Sequence, residues 1–306
     1  MRNKDKGVVV TGATSMIGIA LIEECVKNNI PVAAIIRPHT KRISRLPKTN
    51  LITIYESELS ELSKVDIPFG SWDVLYHLAW SDTEKNTRDN PNLQEKNIKY
   101  TLDAVNLAKK LGCTTFIGAG SQAEYGPVDG VISPDTKTNP VIAYGMAKEA
   151  ARMLSSRLCD IYGIKHIWGR IFSVYGRYDN EGTMLVYAIK KLLSGEMAEF
   201  STGSQPWDYL NEYDAGRALY LLGKSENAKG TYCIAFGKSR PLKEYILELG
   251  RQLGAVDRLI FAKQGEKKDV GIQADIDKLK RDTGFVPEVS FSVGIQRMIS
   301  AYKENT

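Results

Sequence analysis

Cysteine is scarce and scattered in this chain. Its four cysteines, Cys25, Cys113, Cys159 and Cys233, stand far apart. That spacing excludes a disulfide framework and a cysteine-based zinc site, and it suits a reducing compartment. Long apolar runs are also missing, so no segment reads as a membrane span. No signal-peptide h-region follows the polar start of the sequence. Charge of one sign is never concentrated into a tail, since 41 Lys and Arg against 36 Asp and Glu leave only +5. These absences predict a soluble, cytoplasmic protein and give no basis for a membrane, nucleic-acid or metal partner.

What is present is the composition of an ordinary globular protein, 43% apolar and 25% charged, long enough to bury a large core. Short apolar runs at 7–10, 32–36, 51–54, 74–78, 114–118 and 164–172 read as strands. Amphipathic stretches at 16–28, 92–111 and 143–162 read as helices. Such alternation predicts an α/β chain with a doubly wound parallel sheet, helices on both faces. After Gly176 the rhythm changes to helical segments at 183–194, 213–223, 242–253 and 291–303 between shorter strands. That part reads as a smaller, irregular lobe beside the sheet. Ligands of such sheets sit beyond the carboxyl ends of the strands, which selects the loops after Val10, Ile36, Leu78, Gly118 and Phe172.

The first of these loops is Thr11-Gly12-Ala-Thr14-Ser15-Met16-Ile17-Gly18. Glycines there allow a tight turn and close approach of a pyrophosphate, and the following helix offers free N–H groups. Ser15 stands where a middle glycine is expected. Strand two ends in Arg37, where a fold preferring NAD would place an acidic residue. With His39, Lys41 and Arg42 nearby, Arg37 suits a 2′-phosphate, so NADP(H) is favoured and NAD is the alternative. Alone, the basic stretch 37–48 would read as a solvated loop. Glu58 and Leu59 follow strand three at the adenine position, although they also read as a charged helix start. Leu78, Ala79 and Trp80 end strand four along the cofactor path, and His77 reads as a packed core histidine.

Tyr144 and Lys148 lie at i and i+4 on one helix face, where a cation lowers the pKa of a phenol. The same spacing recurs at Tyr187/Lys191 and Tyr220/Lys224, in helical stretches that read as core. Position selects Tyr144, because Ser121 ends strand five behind small residues and faces the same cleft.

In this order the glycine-rich turn, His77-Leu-Ala79, Ser121 before Tyr125-Gly126, Tyr144-x-x-x-Lys148 and Arg170-Ile-Phe-Ser-Val-Tyr-Gly176 occur along the chain. Together they resemble an extended short-chain dehydrogenase/reductase of the NAD(P)-dependent sugar-nucleotide epimerase/dehydratase family, over nearly the whole length. The resemblance implies a Rossmann fold at 1–176 and a partly interleaved C-terminal substrate-binding lobe at 177–306, with some segments returning to the sheet. It further implies that Tyr144 is the acid/base, that Lys148 lowers its pKa and holds the nicotinamide ribose, and that Ser121 bonds the reacting oxygen. Asn97 would support the lysine through solvent, or else be an ordinary polar helix residue. A nucleotide-sugar substrate and a homodimer built on helices 92–111 and 143–162 are also implied.

Departures from the family pattern narrow the reaction. Gln122 and Ala123 replace the Asp-Glu pair of 4,6-dehydratases and cannot do acid/base work. Glu124, one place further on, is expected to point away on a strand-like segment. Ser173 replaces an asparagine, and Trp207 an arginine that grips the nucleotide phosphate, so Gln122, Ser173 and Trp207 enter as candidate substrate contacts, with Trp207 reading equally as a packing residue. Lys267 or Lys268 could restore the lost charge. The leading expectation is reduction of a nucleotide-linked 4-keto deoxysugar by NADPH. The alternative is a nucleotide-sugar 4-epimerase with tightly bound NAD. A non-catalytic cofactor sensor or nucleic-acid-binding relative is disfavoured by the retained Ser121, Tyr144 and Lys148.

Overall fold

A computed structural model describes residues 6–263 and 271–304; Lys267 and Lys268 lie outside them. The chain runs β1 (Gly7–Thr11), α1 (Met16–Lys27), β2 (Val32–Ile36), β3 (Ile52–Glu56), β4 (Trp72–His77), α2 (Pro91–Leu111), β5 (Thr115–Ser121), α3 (Ala143–Tyr162) and β6 (Lys165–Ile171). It continues with β7 (Ser173–Tyr175), α4 (Met184–Leu193), β8 (Ala198–Phe200), β9 (Pro206–Trp207), β10 (Tyr209–Asn211), α5 (Glu212–Lys224) and β11 (Gly230–Ile234). The last elements are β12 (Arg240–Pro241), α6 (Leu242–Leu253), β13 (Leu259–Phe261), α7 (Asp277–Thr283) and α8 (Phe291–Glu304).

Seven strands form one parallel sheet in the order β11-β6-β5-β4-β1-β2-β3. The reversal between β1 and β4 makes the crevice at their carboxyl ends, as doubly wound sheets do. Alternate strand residues feed opposite faces. Val8 and Val10 join a core with Ile19, Ile22, Leu219 and Leu222 from α1 and α5. Val9, Leu75 and Phe116 join another with Val105, Leu107 and Cys159 from α2 and α3. The helices begin and end on local chemistry: Ser15 caps α1, Asn90 caps α2 ahead of Pro91, and Gly112 and Gly163 close α2 and α3 in the left-handed conformation.

Segment 212–234 packs α5 on α1 and adds β11 beside β6, so the chain re-enters the sheet after leaving it. The remaining C-terminal elements enclose a third core from α4, α6 and α8, including Leu185, Ile189, Leu249 and Met298. In it Tyr175, Tyr209, Tyr245 and Phe291 touch ring to ring, at centroid distances between 4.6 and 5.7 Å. Its strands are only two or three residues long and pair across distant sequence, β8 with β13 and β9 with β12.

Across β4, β5 and β6 a ladder of rings runs from His77 to Phe116, His166 and Trp168, with spacings of 6.2, 5.9 and 5.9 Å. The Trp168 indole lies over β5 where two glycines leave room: a Cβ on Gly118 or on Gly120 would meet it at 2.2 Å. His77 is buried, bonds Thr11 Oγ1 through Nδ1 at 2.9 Å, and is held neutral by burial, its pKa pulled down to about 3. All four cysteines are buried thiols, and among the described residues no cluster of His, Cys, Asp or Glu could hold a metal. No described helix is long and apolar enough to cross a membrane.

Candidate active site

The carboxyl ends of β1, β2, β4 and β5 open into one cleft of about 680 Å³. Its floor is the turn after β1. Gly12 has φ +69°, and a Cβ there would stand 2.7 Å from the Ala79 nitrogen, so only glycine lets this turn approach the end of β4. The Ser15 hydroxyl accepts the Gly18 N–H at 3.0 Å. That leaves the first-turn amides of Met16 and Ile17, which lack helical acceptors, at the cleft wall. Gly18 itself is buried, and its Cβ would collide with Gly12 O at 2.4 Å. Thr14 and Ser15 line the cleft as well. Ser15 thus serves as helix cap in a turn where a third glycine was expected.

Arg37 and Arg42 stand at the end of β2, with Glu58 and Leu59 facing them from the end of β3. Leu78, Ala79 and Trp80 form the next stretch of wall, fixed to β1 by Leu78 N–H donating to Thr11 O at 3.2 Å. These residues make a groove that suits a dinucleotide: a helix N-terminus for pyrophosphate at the centre and two guanidinium groups at the adenosine end. Asn97 is off the wall. It is buried, its Oδ1 accepts Ser81 N–H at 2.9 Å and its Nδ2 donates to Ser81 O. It pins the chain leaving β4.

Ser121, Tyr144 and Lys148 meet at the inner end of the cleft. Ser121 ends β5, and Tyr144 opens α3, whose start is held by Asp89 Oδ1 accepting the Ala143 N–H at 2.8 Å. Lys148 is buried, donates to Ala119 O at 2.6 Å and lies 3.6 Å from the Trp80 ring. Burial, with help from the charge of Arg88, pulls its pKa down to about 7. Tyr144 departs from expectation. Burial raises its pKa, opposed by the positive charge of Arg88 and by a hydrogen bond with Ser121. The Lys148 ammonium stands 5.7 Å from the centre of the Tyr144 ring, further than from that of Trp80.

Beneath the three residues lies a charge network that the sequence reading misjudged. Residues 122–124 form a single 3₁₀ turn rather than a strand-like segment, capped by Ser121. The turn swings Glu124 back under the site instead of sideways. Its carboxylate accepts the Ser121 N–H at 2.7 Å, the Trp168 indole N–H at 3.1 Å and the Arg170 Nε at 2.6 Å. Arg170 also pairs with Glu149 at 2.8 Å. Glu124 is therefore consumed in holding Ser121.

The three candidate substrate contacts are not on the cleft wall. Gln122 has a buried Oε1 without a hydrogen-bond partner. Ser173 starts β7 just after Phe172, which does line the cleft. Trp207 packs against both the sheet core and the C-terminal core, which is its packing role. Tyr187 stacks on Phe200 in the C-terminal lobe and Tyr220 is buried on α5, both away from the cleft. Residues that the sequence reading overlooked and the fold brings to the wall include Asp82, Lys96, Tyr100, Tyr178 and Asp179. Burial raises Asp179 to about 6. No local motif marks them; their loops converge only in the folded chain.

Comparison with known proteins places this geometry among relatives. The model of a family described as "NAD dependent epimerase/dehydratase family" matches residues 8–235. A UDP-glucuronate 4-epimerase of Thermodesulfobacterium geofontis is 24% identical, over 86% of this chain and 83% of its own. The UDP-N-acetylglucosamine 4-epimerase of Methanobrevibacter ruminantium, solved with UDP-N-acetylmuramic acid, superposes with a TM-score of 0.87 at 21% identity, covering 99% of both chains. The UDP-glucuronic acid 4-epimerase of Bacillus cereus, solved with NAD, gives 0.84 at 22% identity, covering 97% of each.

Proposed function

Because the chain belongs to the NAD dependent epimerase/dehydratase family, we propose that it is a nucleotide-sugar 4-epimerase working with a nicotinamide dinucleotide in the cleft. The observation that carries this reading is the meeting of Ser121, Tyr144 and Lys148 at the inner end of a groove whose floor is the Gly12–Gly18 turn. Neighbouring Gln122 and Ala123 offer no second acid or base, which disfavours dehydration. The names of the relatives favour epimerisation over the reduction that Arg37 first suggested.

In this reading Tyr144 takes the proton of the sugar 4-hydroxyl as that carbon is oxidised and returns it as the carbonyl is reduced from the other face. Ser121 bonds the same oxygen and holds it against the phenol. The amides of Met16 and Ile17 would hold the pyrophosphate, and Lys148 the nicotinamide ribose. When bound, the dinucleotide supplies the hydride acceptor and donor. Residues 177–306 supply most of the sugar-nucleotide contacts. A dimer through α2 and α3 fits an apolar stripe on α3, where Met146, Met153, Leu154 and Ile161 are each 49–62% exposed; light scattering of the purified protein reads it.

A second reading, reduction of a 4-keto sugar nucleotide by NADPH, is favoured by Arg37 and Arg42 at the adenosine end. One experiment separates the two. UDP-glucose, UDP-N-acetylglucosamine and UDP-glucuronate are incubated with enzyme and NAD, and a 4-keto sugar nucleotide with NADPH. Epimers appearing without net change at 340 nm support the epimerase, and stoichiometric NADPH loss supports the reductase. Neither outcome across the panel would sink both. Arg37→Ala should weaken NADPH binding roughly tenfold and leave NADH unchanged if a 2′-phosphate sits there; equal effects on both would remove the NADP preference.

A further inference from the structure

Arg88 belongs to none of the motifs above. It lies in the loop between β4 and α2, where its backbone N–H donates to Glu84 O at 2.8 Å and its carbonyl accepts the Tyr144 N–H at 3.1 Å. Its guanidinium carbon stands 4.3 Å from the centre of the Tyr144 ring. The Nε is buried without a hydrogen-bond partner, and among the described residues no carboxylate forms an ion pair with it. The neighbouring Asp89 is engaged by the Ala143 N–H at 2.8 Å. Arg88 is partly buried, and its unpartnered Nε leaves the guanidinium available to a nearby group that becomes negative.

The surroundings of Tyr144 identify that group. Two cations bracket two rings: Lys148 lies against Trp80, and Arg88 lies over Tyr144. Lys148 lies 3.6 Å from Trp80 but 5.7 Å from Tyr144, and Trp80 meets Tyr144 edge-on at 6.0 Å. Trp80 is itself fixed, donating from Nε1 to Gln94 Oε1 at 2.9 Å. Ser121 bonds the phenol, and the Glu124 charge opposes its ionisation from below. Of the two cations, Arg88 is the nearer to the ring. Negative charge on a phenolate spreads into its ring, so a cation over the face gains attraction when the proton leaves. A guanidinium also keeps its charge where an ammonium would lose it by burial.

We propose that Arg88 is a positioning residue whose guanidinium stabilises the phenolate of Tyr144, in addition to the part that i,i+4 spacing assigns to Lys148. It acts through Tyr144 and not on the substrate. The balance at the phenol agrees, since Arg88 is the largest of the influences that favour ionisation. The inference rests on the proposed acid/base role of Tyr144, but its test does not depend on turnover.

The test places 3-fluorotyrosine at position 144 and follows its ionisation by ¹⁹F NMR, with and without NAD. Arg88→Met should move the midpoint up by about one pH unit, a tenfold change in the ionisation constant. Arg88→Lys should recover part of that shift, and the shift caused by Arg88→Met should persist in a Lys148→Met background. A midpoint unmoved in Arg88→Met overturns the proposal. If Arg88→Met melts early, Arg88→Gln is read in the same titration. A raised KM for the nucleotide sugar with an unmoved midpoint would instead make Arg88 a substrate ligand. If no nucleotide sugar turns over and the midpoint still shifts, the functional reading fails while the electrostatic one stands.

Discussion

The two parts of this molecule hold their chemistry in different ways. In the sheet, backbone register alone brings the Gly12 turn, Arg37, Ala79 and Ser121 to one edge, because seven parallel strands end there. In the C-terminal lobe the strands are two or three residues long, and order comes from packed rings and side-chain bonds. Asp208, for example, is fully buried and accepts the Phe236 and Gly237 N–H groups at 2.8 Å. In the sheet the strand ends set the geometry, whereas in the lobe individual side chains do. The proposed hydride chemistry sits on the first, and the proposed sugar selectivity on the second.

The largest expected effect falls on the sheet edge. Tyr144→Phe should lower kcat by roughly 10²- to 10⁴-fold while calorimetric affinity for the dinucleotide holds. Loss of both together would mean the tyrosine is structural. Next, Glu124→Gln removes the charge facing Arg170 at 2.6 Å in a buried site and should cost about 3 kcal/mol in urea unfolding. A cost near zero would show that Glu149 alone suffices for Arg170. In the lobe, Trp207→Ala should cost about 2 kcal/mol and leave dinucleotide affinity unchanged. Weaker dinucleotide binding would break the separation between the two parts.

The smallest effect concerns pH. His77 has its folded pKa depressed to about 3 and His166 to about 4, both chiefly by burial. The unfolded chain takes up these protons below about pH 6.5 and the folded chain does not, so this stability is complete above pH 6.5. It is lost as pH falls towards 4, by about 1.4 kcal/mol per unit for each group. His77→Gln should make stability fall less steeply between pH 6 and 4 in urea titrations. Parallel slopes for variant and wild type would show that His77 is protonated in the fold.

Much of the first part was legible because strand and helix periodicity is local. Helix 143–162 and the strand ending at Ser121 follow from apolar spacing, and their ends define the site. Glu124 was misread because its partner Arg170 lies 46 residues away, and a run of Gln, Ala and Glu carries no signal for a 3₁₀ turn. Arg88 escaped notice for a similar reason: nothing in Asn-Thr-Arg-Asp says that the loop folds over a tyrosine three elements later. Trp207 sits where the family pattern has an arginine, and its sequence left stacking on a ligand and packing as equal readings; the two cores it packs against come together only in the fold.

The ring of Trp168 occupies space that Gly118 and Gly120 leave vacant on β5. This ties three positions into one evolutionary unit. A side chain can enter at Gly118 only after the indole has shrunk, and at Gly120 it must also clear Glu124 Oε1, which a Cβ there would meet at 2.6 Å; a smaller residue at 168 opens a void that the glycines cannot fill. Single-site libraries at any of the three should come back nearly empty, whereas paired libraries should yield folded variants in which an aliphatic side chain grows on β5 as the indole disappears from β6.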